Sequence, residues 1–287
     1  MSDTDAAITR LLDADALREP LLRQIVGVLG LPQGSAGLDA GCGPGLQALL
    51  LADAVGPAGH VTGVDLAPEL LAYGEELIQR AGYAGRVTLR EGDVARMPFA
   101  DESFDWAWSA DCVGYPAGDL PALVSELARV VRPGGRVFVL AWTSQQLLPG
   151  HPFLEARLNA TCSAYLPFLS DQAPERHFPR ALGGLRAAGL AEVRGATFAR
   201  TLQAPLTLSE RAGLRSLFAM LWGQPQPGEE PAAREGYRRL CLPDSPDDIL
   251  ALPDYYGFFT YSLFQGAVVK APPGGAAAWR SASSERR

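Results

Sequence analysis

The chain has 287 residues, 47% hydrophobic and 20% charged, with a formal net charge of −7. That length suits one large domain or a domain with a cap, and the acidic balance disfavours nucleic acid as the main partner. No run of about 18 apolar residues occurs, so no membrane span is expected.

Residues 5–30 carry apolar side chains at helical spacing, first Ile8, Leu11 and Leu12, then Leu21, Leu22, Ile25, Val26 and Leu29. Pro20 is expected to separate two helices by sitting in the first turn of the second. Gly30, followed by Leu31-Pro32, ends the second helix. Residues 36–40 read as a first strand, and a glycine turn then leads into an amphipathic helix over 45–55. His60–Asp65 is a second strand. Pro68 opens a helix that buries Leu70, Leu71, Leu77, Ile78 and Ala81, and Gly82 caps it. Arg86–Arg90 alternates as a third strand, and Phe104–Trp108 is a fourth. A helix over 120–131 buries Leu123, Leu127 and Val130. Pro133-Gly134-Gly135 turns into Val137–Leu140, a nearly all-apolar fifth strand of the kind buried on both faces.

Past residue 142 the pattern loosens. A helix at 180–189 precedes a strand near 192–199, and Tyr256–Val269 is a long aromatic and β-branched strand; the two are expected to pair antiparallel at the sheet edge. Between them, helical pieces are broken by Gln224-Pro225-Gln226-Pro227-Gly228 and by Leu242-Pro243-Asp244-Ser245-Pro246. The expected fold is α/β, a Rossmann-like doubly wound sheet, mostly parallel with an antiparallel edge hairpin, plus a helical cap insertion. Its expected division is an N-terminal helical segment (1–32), a main domain (33–204 and 256–271), the cap (205–255) and a disordered tail (272–287).

The most informative stretch is Gly37-Leu38-Asp39-Ala40-Gly41-Cys42-Gly43-Pro44-Gly45. Strand, glycine turn and helix in that order form the first unit of a nucleotide-binding sheet. A dinucleotide fingerprint needs glycine at position 46, which is Leu, and no G-K-[ST] follows, which excludes a P-loop. Asp39, just before the first glycine, repels a pyrophosphate but suits a cationic group such as an amino-acid ammonium. The bland alternative is a glycine turn with no ligand. Ligands in such sheets bind outside the carboxyl ends of the strands, so the residues there belong together. Asp65 can accept both ribose hydroxyls, or act as a helix N-cap; Leu66 can pack on a purine. Asp93 can accept from an exocyclic amine while the Val94 amide donates to the ring; otherwise Asp93 makes an Asx turn after Gly92. Ser109, with Ala110, Asp111 and Cys112, is expected to line the floor of the site.

The Asp39-x-Gly41-x-Gly43-x-Gly45 loop, Val64-Asp65-Leu66, Gly92-Asp93-Val94 with Met97-Pro98-Phe99, and Arg129–Gly135 together resemble the class I S-adenosylmethionine-dependent methyltransferases. The likeness is to the ubiquinone/menaquinone-biosynthesis-like small-molecule branch and covers residues 30–145 most strongly. It implies S-adenosylmethionine as cofactor, with the loop (Gly41, Cys42, Gly43, Gly45) on the methionine moiety, Asp65 on the ribose and Asp93-Val94 on the adenine. It implies a small-molecule methyl acceptor. The insertion at 205–255 is longer than a minimal relative needs, and the first helices lack a tyrosine that some relatives use to close the site, so the acceptor does not carry over. RNA or protein methylation, a regulatory protein that binds the cofactor without turnover, and an NAD oxidoreductase are the competing readings.

Candidate bases are Asp111 after the fourth strand and His151 after the fifth; a turn residue and a surface-loop residue are their bland alternatives. Tyr165, Phe168, Phe218, Trp222, Tyr255, Tyr256 and Phe258 crowd the expected cap side, mostly as packing, with an apolar acceptor pocket as the functional alternative. Four scattered cysteines (Cys42, Cys112, Cys162, Cys241) without C-x-x-C pairing read as reduced thiols of a cytoplasmic protein, not as a metal site. The acidic N-terminus has no apolar signal core.

Overall fold

In a computed structural model the described residues are 3–115, 118–162, 173–226, 228–243 and 245–269. Seven strands form one sheet in the order β3-β2-β1-β4-β5-β7-β6. β1 (Ala36–Ala40), β2 (His60–Asp65), β3 (Val87–Glu91), β4 (Phe104–Ala110) and β5 (Val131–Gln146) run parallel, while β7 (Tyr256–Ala267) lies antiparallel between β5 and β6 (Ala191–Gln203). The expected edge hairpin is therefore present, with β7 inside and β6 outermost. Parallel strands buried on both faces need helices on each side. α1 (Asp3–Val28), α2 (Leu46–Val55) and α3 (Pro68–Arg80) supply one layer, and α4 (Leu120–Val130) with α6 (Ala181–Ala187) supplies the other. α5 (Pro152–Ala160) follows β5, and between β6 and β7 lie α7 (Leu208–Trp222) and α8 (Pro231–Cys241).

Two elements differ from the sequence expectation. Pro20 does not split α1, which runs unbroken through it. Proline removes one amide and disfavours the turn before it, but Leu17, Leu21, Leu22 and Ile25 are all buried in a single core with Leu214, Leu217 and Phe218 of α7. At about 1.5–3 kcal/mol per fully buried large side chain, that continuous seam outweighs the proline. Asp13 accepts a hydrogen bond from the Ser216 hydroxyl at 2.9 Å on the same seam. The fifth strand is also much longer than Val137–Leu140. It begins at Val131, passes through Pro133-Gly134-Gly135 and ends at Gln146. Gly134 has φ 87° and its amide donates to Val268 O, so the glycine pair opens a bulged strand end and not a separate turn.

That length has a geometric consequence. Ala110, the last residue of β4, pairs with Leu140, and β5 continues six residues further, paired with β7 as far as Gln146 opposite Phe258. At roughly 3.3 Å per residue, an antiparallel wall of β5, β7 and β6 overhangs the carboxyl edge of the parallel strands by roughly 20 Å. On one side it packs Trp142, Phe259 and Tyr261 into the core with α7, Trp142 stacked on Phe259 at 4.4 Å between centroids. The tail after Val269 and the aromatic pair Tyr165 and Phe168 lie outside the described residues.

Gly74 in α3 lets that helix rest on the glycine loop. A Cβ there would lie 2.6 Å from Pro44 O and 2.6 Å from Leu89 Cδ1. Helix propensity alone favours alanine by about 1 kcal/mol. Gly74→Ala is nonetheless expected to destabilise the protein by about 1–3 kcal/mol in urea denaturation, because the loop backbone has to move; a stabilised variant would show that α3 does not brace the loop.

Candidate functional site

β1 and β2 pair in register from Ala36 opposite His60 to Ala40 opposite Val64, which brings Asp39 and Asp65 to the same end of the sheet. Between them the chain turns through Gly41, Gly43 and Gly45, with φ of 79°, 51° and 75°. Only glycine adopts that run without strain. At Gly41 a Cβ would also fall inside the Cys112 side chain. The loop is held from within: the Gly41 and Cys42 amides donate to Val64 O, and the Gly45 amide to Cys42 O. The amide of Gly43 donates to Asp65 Oδ2 at 2.8 Å, while Ala67 N donates to Asp65 Oδ1 at 3.0 Å. Asp65 thus ties the loop to the start of α3. Ala67, and not Asp65, is the N-cap of that helix. Each carboxylate oxygen keeps a second lone pair. Because the loop amides are engaged internally, a ligand would meet Asp39, Asp65 and the free amides of the first turn of α2.

Asp39 is the anomaly of the site. It is 2% exposed, and its Oδ2 has no hydrogen-bond partner among the described residues. Burial, and then the negative charge of Asp65, raises its pKa from an ordinary 3.8 to about 7. An unpartnered buried carboxylate oxygen is costly and is rare without a functional cause. Burial, with Asp65 and Asp39 adding to it, also pushes the Cys112 thiol up to about 11. The Cys42 thiol rises well above its usual range, by burial first and then by Asp39 and Asp65. Both stay protonated at neutral pH and are poor nucleophiles.

The other expected ligand residues divide. Leu66 is 63% exposed beside Asp65 and is open to a flat ring. Asp93 is exposed and makes the Asx turn, accepting from Ala95 N at 2.8 Å, and Val94 is half-buried against the core. Ser109 does not offer its hydroxyl to a ligand. It is 1% exposed, donates to Ala40 O at 2.8 Å and accepts from Val113 N at 3.2 Å, so it clips β1 to the turn after β4.

The two candidate bases sit in different surroundings. Asp111 has φ 51°, a left-handed conformation that aspartate tolerates better than most residues. Its Oδ1 accepts from Trp142 N at 2.8 Å, and its Oδ2 accepts from the Tyr261 hydroxyl at 2.7 Å and faces the Arg18 guanidinium at 3.5 Å. Burial, then the Asp111 charge, holds the Tyr261 phenol well above its ordinary pKa. Asp111 therefore ties α1, β5 and β7 to the turn after β4. His151 is the N-cap of α5, its amide donating to Leu148 O. It follows the far end of β5, which runs four residues past Trp142, roughly 13 Å of strand, so the structure does not bring it to Asp111. Arg18, Trp142 and Tyr261 were not legible as site residues, since they lie up to 243 positions apart from one another and carry no local motif.

Of the cap aromatics, Phe218, Trp222 and Tyr255 are buried in the core, whereas Tyr256 is 53% exposed and lines a cavity with Phe258.

A family model described as a methyltransferase domain matches residues 38–135. A demethylmenaquinone methyltransferase of Bacillus velezensis is 33% identical over 121 residues, 41% of this chain and 49% of the relative. One of Staphylococcus aureus is 35% identical over 130 residues, 44% of this chain and 51% of the relative. The chain spans about half the length of the curated relatives it matches. Among solved structures, the YcgJ protein from Bacillus subtilis aligns with a TM-score of 0.53 at 19% identity, over 88% of this chain and 100% of that one, a likeness of fold.

The Asp39 carboxyl keeps its proton to higher pH in the folded state than in the unfolded one. Stability is therefore lost as pH rises from about 4 through about 7. At about 1.4 kcal/mol per pH unit, the loss from this group between pH 5 and pH 8 is about 3 kcal/mol. Asp39→Asn is neutral throughout and should abolish that slope in urea denaturation at the two pH values; an unchanged slope would place the ordinary pKa back on Asp39.

Proposed function

We propose that this chain, which carries a class I S-adenosylmethionine-dependent methyltransferase domain of the menaquinone- and ubiquinone-like branch over residues 38–135, methylates a small, largely apolar or aromatic molecule. The observation that carries the reading is the unpartnered, desolvated Asp39 oxygen beside a loop of positive-φ glycines. A carboxylate there is complementary to an ammonium and repels a pyrophosphate, which favours an amino-acid-bearing nucleoside over a dinucleotide. Asp39 takes the ammonium, and the first-turn amides of α2 face the carboxylate. Asp65 accepts the ribose hydroxyls on its remaining lone pairs, Leu66 covers the purine, and Asp93-Val94 reads the adenine edge. When bound, S-adenosylmethionine supplies a methyl group already activated on a sulfonium.

The protein's part is then positioning. Proximity and orientation account for about 7–11 kcal/mol in well-aligned displacements. Ser109 and the Asp111 network fix the turn after β4 on which the reacting centre rests. Asp111 already accepts from Trp142 and Tyr261 and faces Arg18, so its role is to orient the site. A general base contributes typically 10²–10⁴-fold, and an acceptor whose electron-rich nucleophile need not lose a proton during attack dispenses with one. Names of the relatives, which methylate demethylmenaquinone, support an acceptor of that character. The net charge of −7 weighs against RNA.

Calorimetric titration with S-adenosylmethionine, with NADH as control, should give saturable binding to the first alone. Its affinity should rise with pH up to about 7, where Asp39 becomes charged, and level off above. Asp39→Asn should weaken binding at least tenfold at pH 8 and flatten that profile. Binding of NADH alone, or a pH-independent affinity in the wild type, would overturn the assignment. In a screen for S-adenosylhomocysteine release, turnover of polar amines only would remove the apolar acceptor.

A further inference from the structure

Beyond the cofactor end of the sheet, the overhanging wall meets α5 around a cavity of about 570 Å³. That volume lies in the range of small-molecule sites. Gln146 and Phe258 are directly paired across β5 and β7, and Tyr256 lies two residues from Phe258, so by strand alternation the three share one side of the wall. Gln145 and Asn159 also line the cavity, and they are fixed by their partners. Trp142 Nε1 donates to Gln145 Oε1 at 2.6 Å, Gln145 Nε2 donates to Asn159 Oδ1 at 2.8 Å, and Trp222 Nε1 donates to the same Oδ1 at 3.0 Å. Asn159 therefore turns its amide NH2 away from both neighbours.

The cavity carries almost no charge. No arginine or lysine lines it, and its ionisable lining groups among the described residues are the Glu155 carboxyl and the Tyr256 phenol. Glu155 is 5% exposed and accepts the Leu147 and Leu148 amides at 2.8 and 3.0 Å. Its carboxylate closes the β5–α5 turn and leaves the lining with fixed amides and apolar surface. An anionic ligand would be desolvated here with no counter-charge and beside a carboxylate. The same strand connects this cavity to the cofactor end, since Trp142, whose amide binds Asp111, lies four residues before Gln146.

We propose that this cleft binds an uncharged small molecule, a polar ring-bearing head toward Gln145 and Asn159 and an apolar body along Tyr256 and Phe258. The inference goes beyond the methyltransferase reading, and the neutrality and apolarity of the cleft are testable without turnover.

The test uses the full chain and two fluorescent probes with one ring system, neutral N-phenyl-1-naphthylamine and anionic 8-anilino-1-naphthalenesulfonate. The neutral probe should bind saturably and at least tenfold more tightly. Ala156→Trp, at an exposed position of α5 that lines the cavity, should weaken the neutral probe at least tenfold while the calorimetric affinity for S-adenosylmethionine stays within twofold. Gln146→Arg should shift the preference toward the anionic probe. Equal affinity for the two probes, or indifference of the neutral probe to Ala156→Trp, overturns the proposal. Loss of S-adenosylmethionine binding in the wild type, with probe selectivity intact, overturns the methyltransferase reading and leaves a neutral-ligand cleft.

Discussion

Much of this molecule follows from one constraint, a carboxylate placed where water cannot reach it. The last turn of β1 carries Asp39 into the interior at 2% exposure with one oxygen unpartnered, and Asp65 stands on the adjacent strand. Two like charges in a poorly solvated place raise each other's cost. The fold relieves Asp65 by giving it two backbone amides, those of Gly43 and Ala67, and gives Asp39 no comparable relief. The positive-φ glycines are what allow the loop to wrap Asp65 without supplying an amide to Asp39. The surrounding protein thus leaves one buried Asp39 oxygen open to a hydrogen-bond donor or a cation, and that asymmetry separates this site from a phosphate cradle, where every amide would converge on an anion.

The overhanging wall serves a second purpose. Antiparallel pairing of β5 with β7 and β6 carries backbone beyond the edge at which the parallel strands stop. One side of that extension is closed by α7 and Trp142, Phe259 and Tyr261. The Asp111 side chain joins wall, β4 and α1 through Trp142, Tyr261 and Arg18. A residue with a strained backbone and a saturated carboxylate is better suited to fixing the relative position of two compartments than to exchanging a proton between them. Removing one partner of such a buried group leaves the other uncompensated, so the network resists independent movement of the cofactor end and the cleft.

The glycine loop and its two flanking aspartates were legible in the sequence because their constraints are local. Glycines at 41, 43 and 45 answer backbone angles within five residues, and Asp39 and Asp65 end strands whose apolar pattern is plain. The wall was not legible. Thr143-Ser144-Gln145-Gln146 has no apolar alternation, and those residues are strand because β7 supplies a complete ladder opposite them, across a bulge between Trp142 and Ser144. Pro20 misled for a related reason: its local preference for a break is real, yet the α1–α7 seam imposes one continuous helix. Asp111 and His151 were read from their place after a strand, which is where function gathers in such sheets, but partnership with Arg18 and Tyr261 is a property of the assembled chain.

The two compartments together constrain the chemistry more than either alone. Asp39 keeps one buried oxygen unpartnered, while the cleft between α5 and the wall is lined by fixed amides and by no arginine or lysine. On the reading proposed above, a neutral acceptor that becomes cationic on methylation needs no base, whereas one that loses a proton as the new bond forms must pass it to a base or to water. Among the described residues, the Asp111 carboxylate is engaged by Trp142, Tyr261 and Arg18 and so ties α1, β5 and β7 to the turn after β4, which fixes the geometry of that end of the sheet.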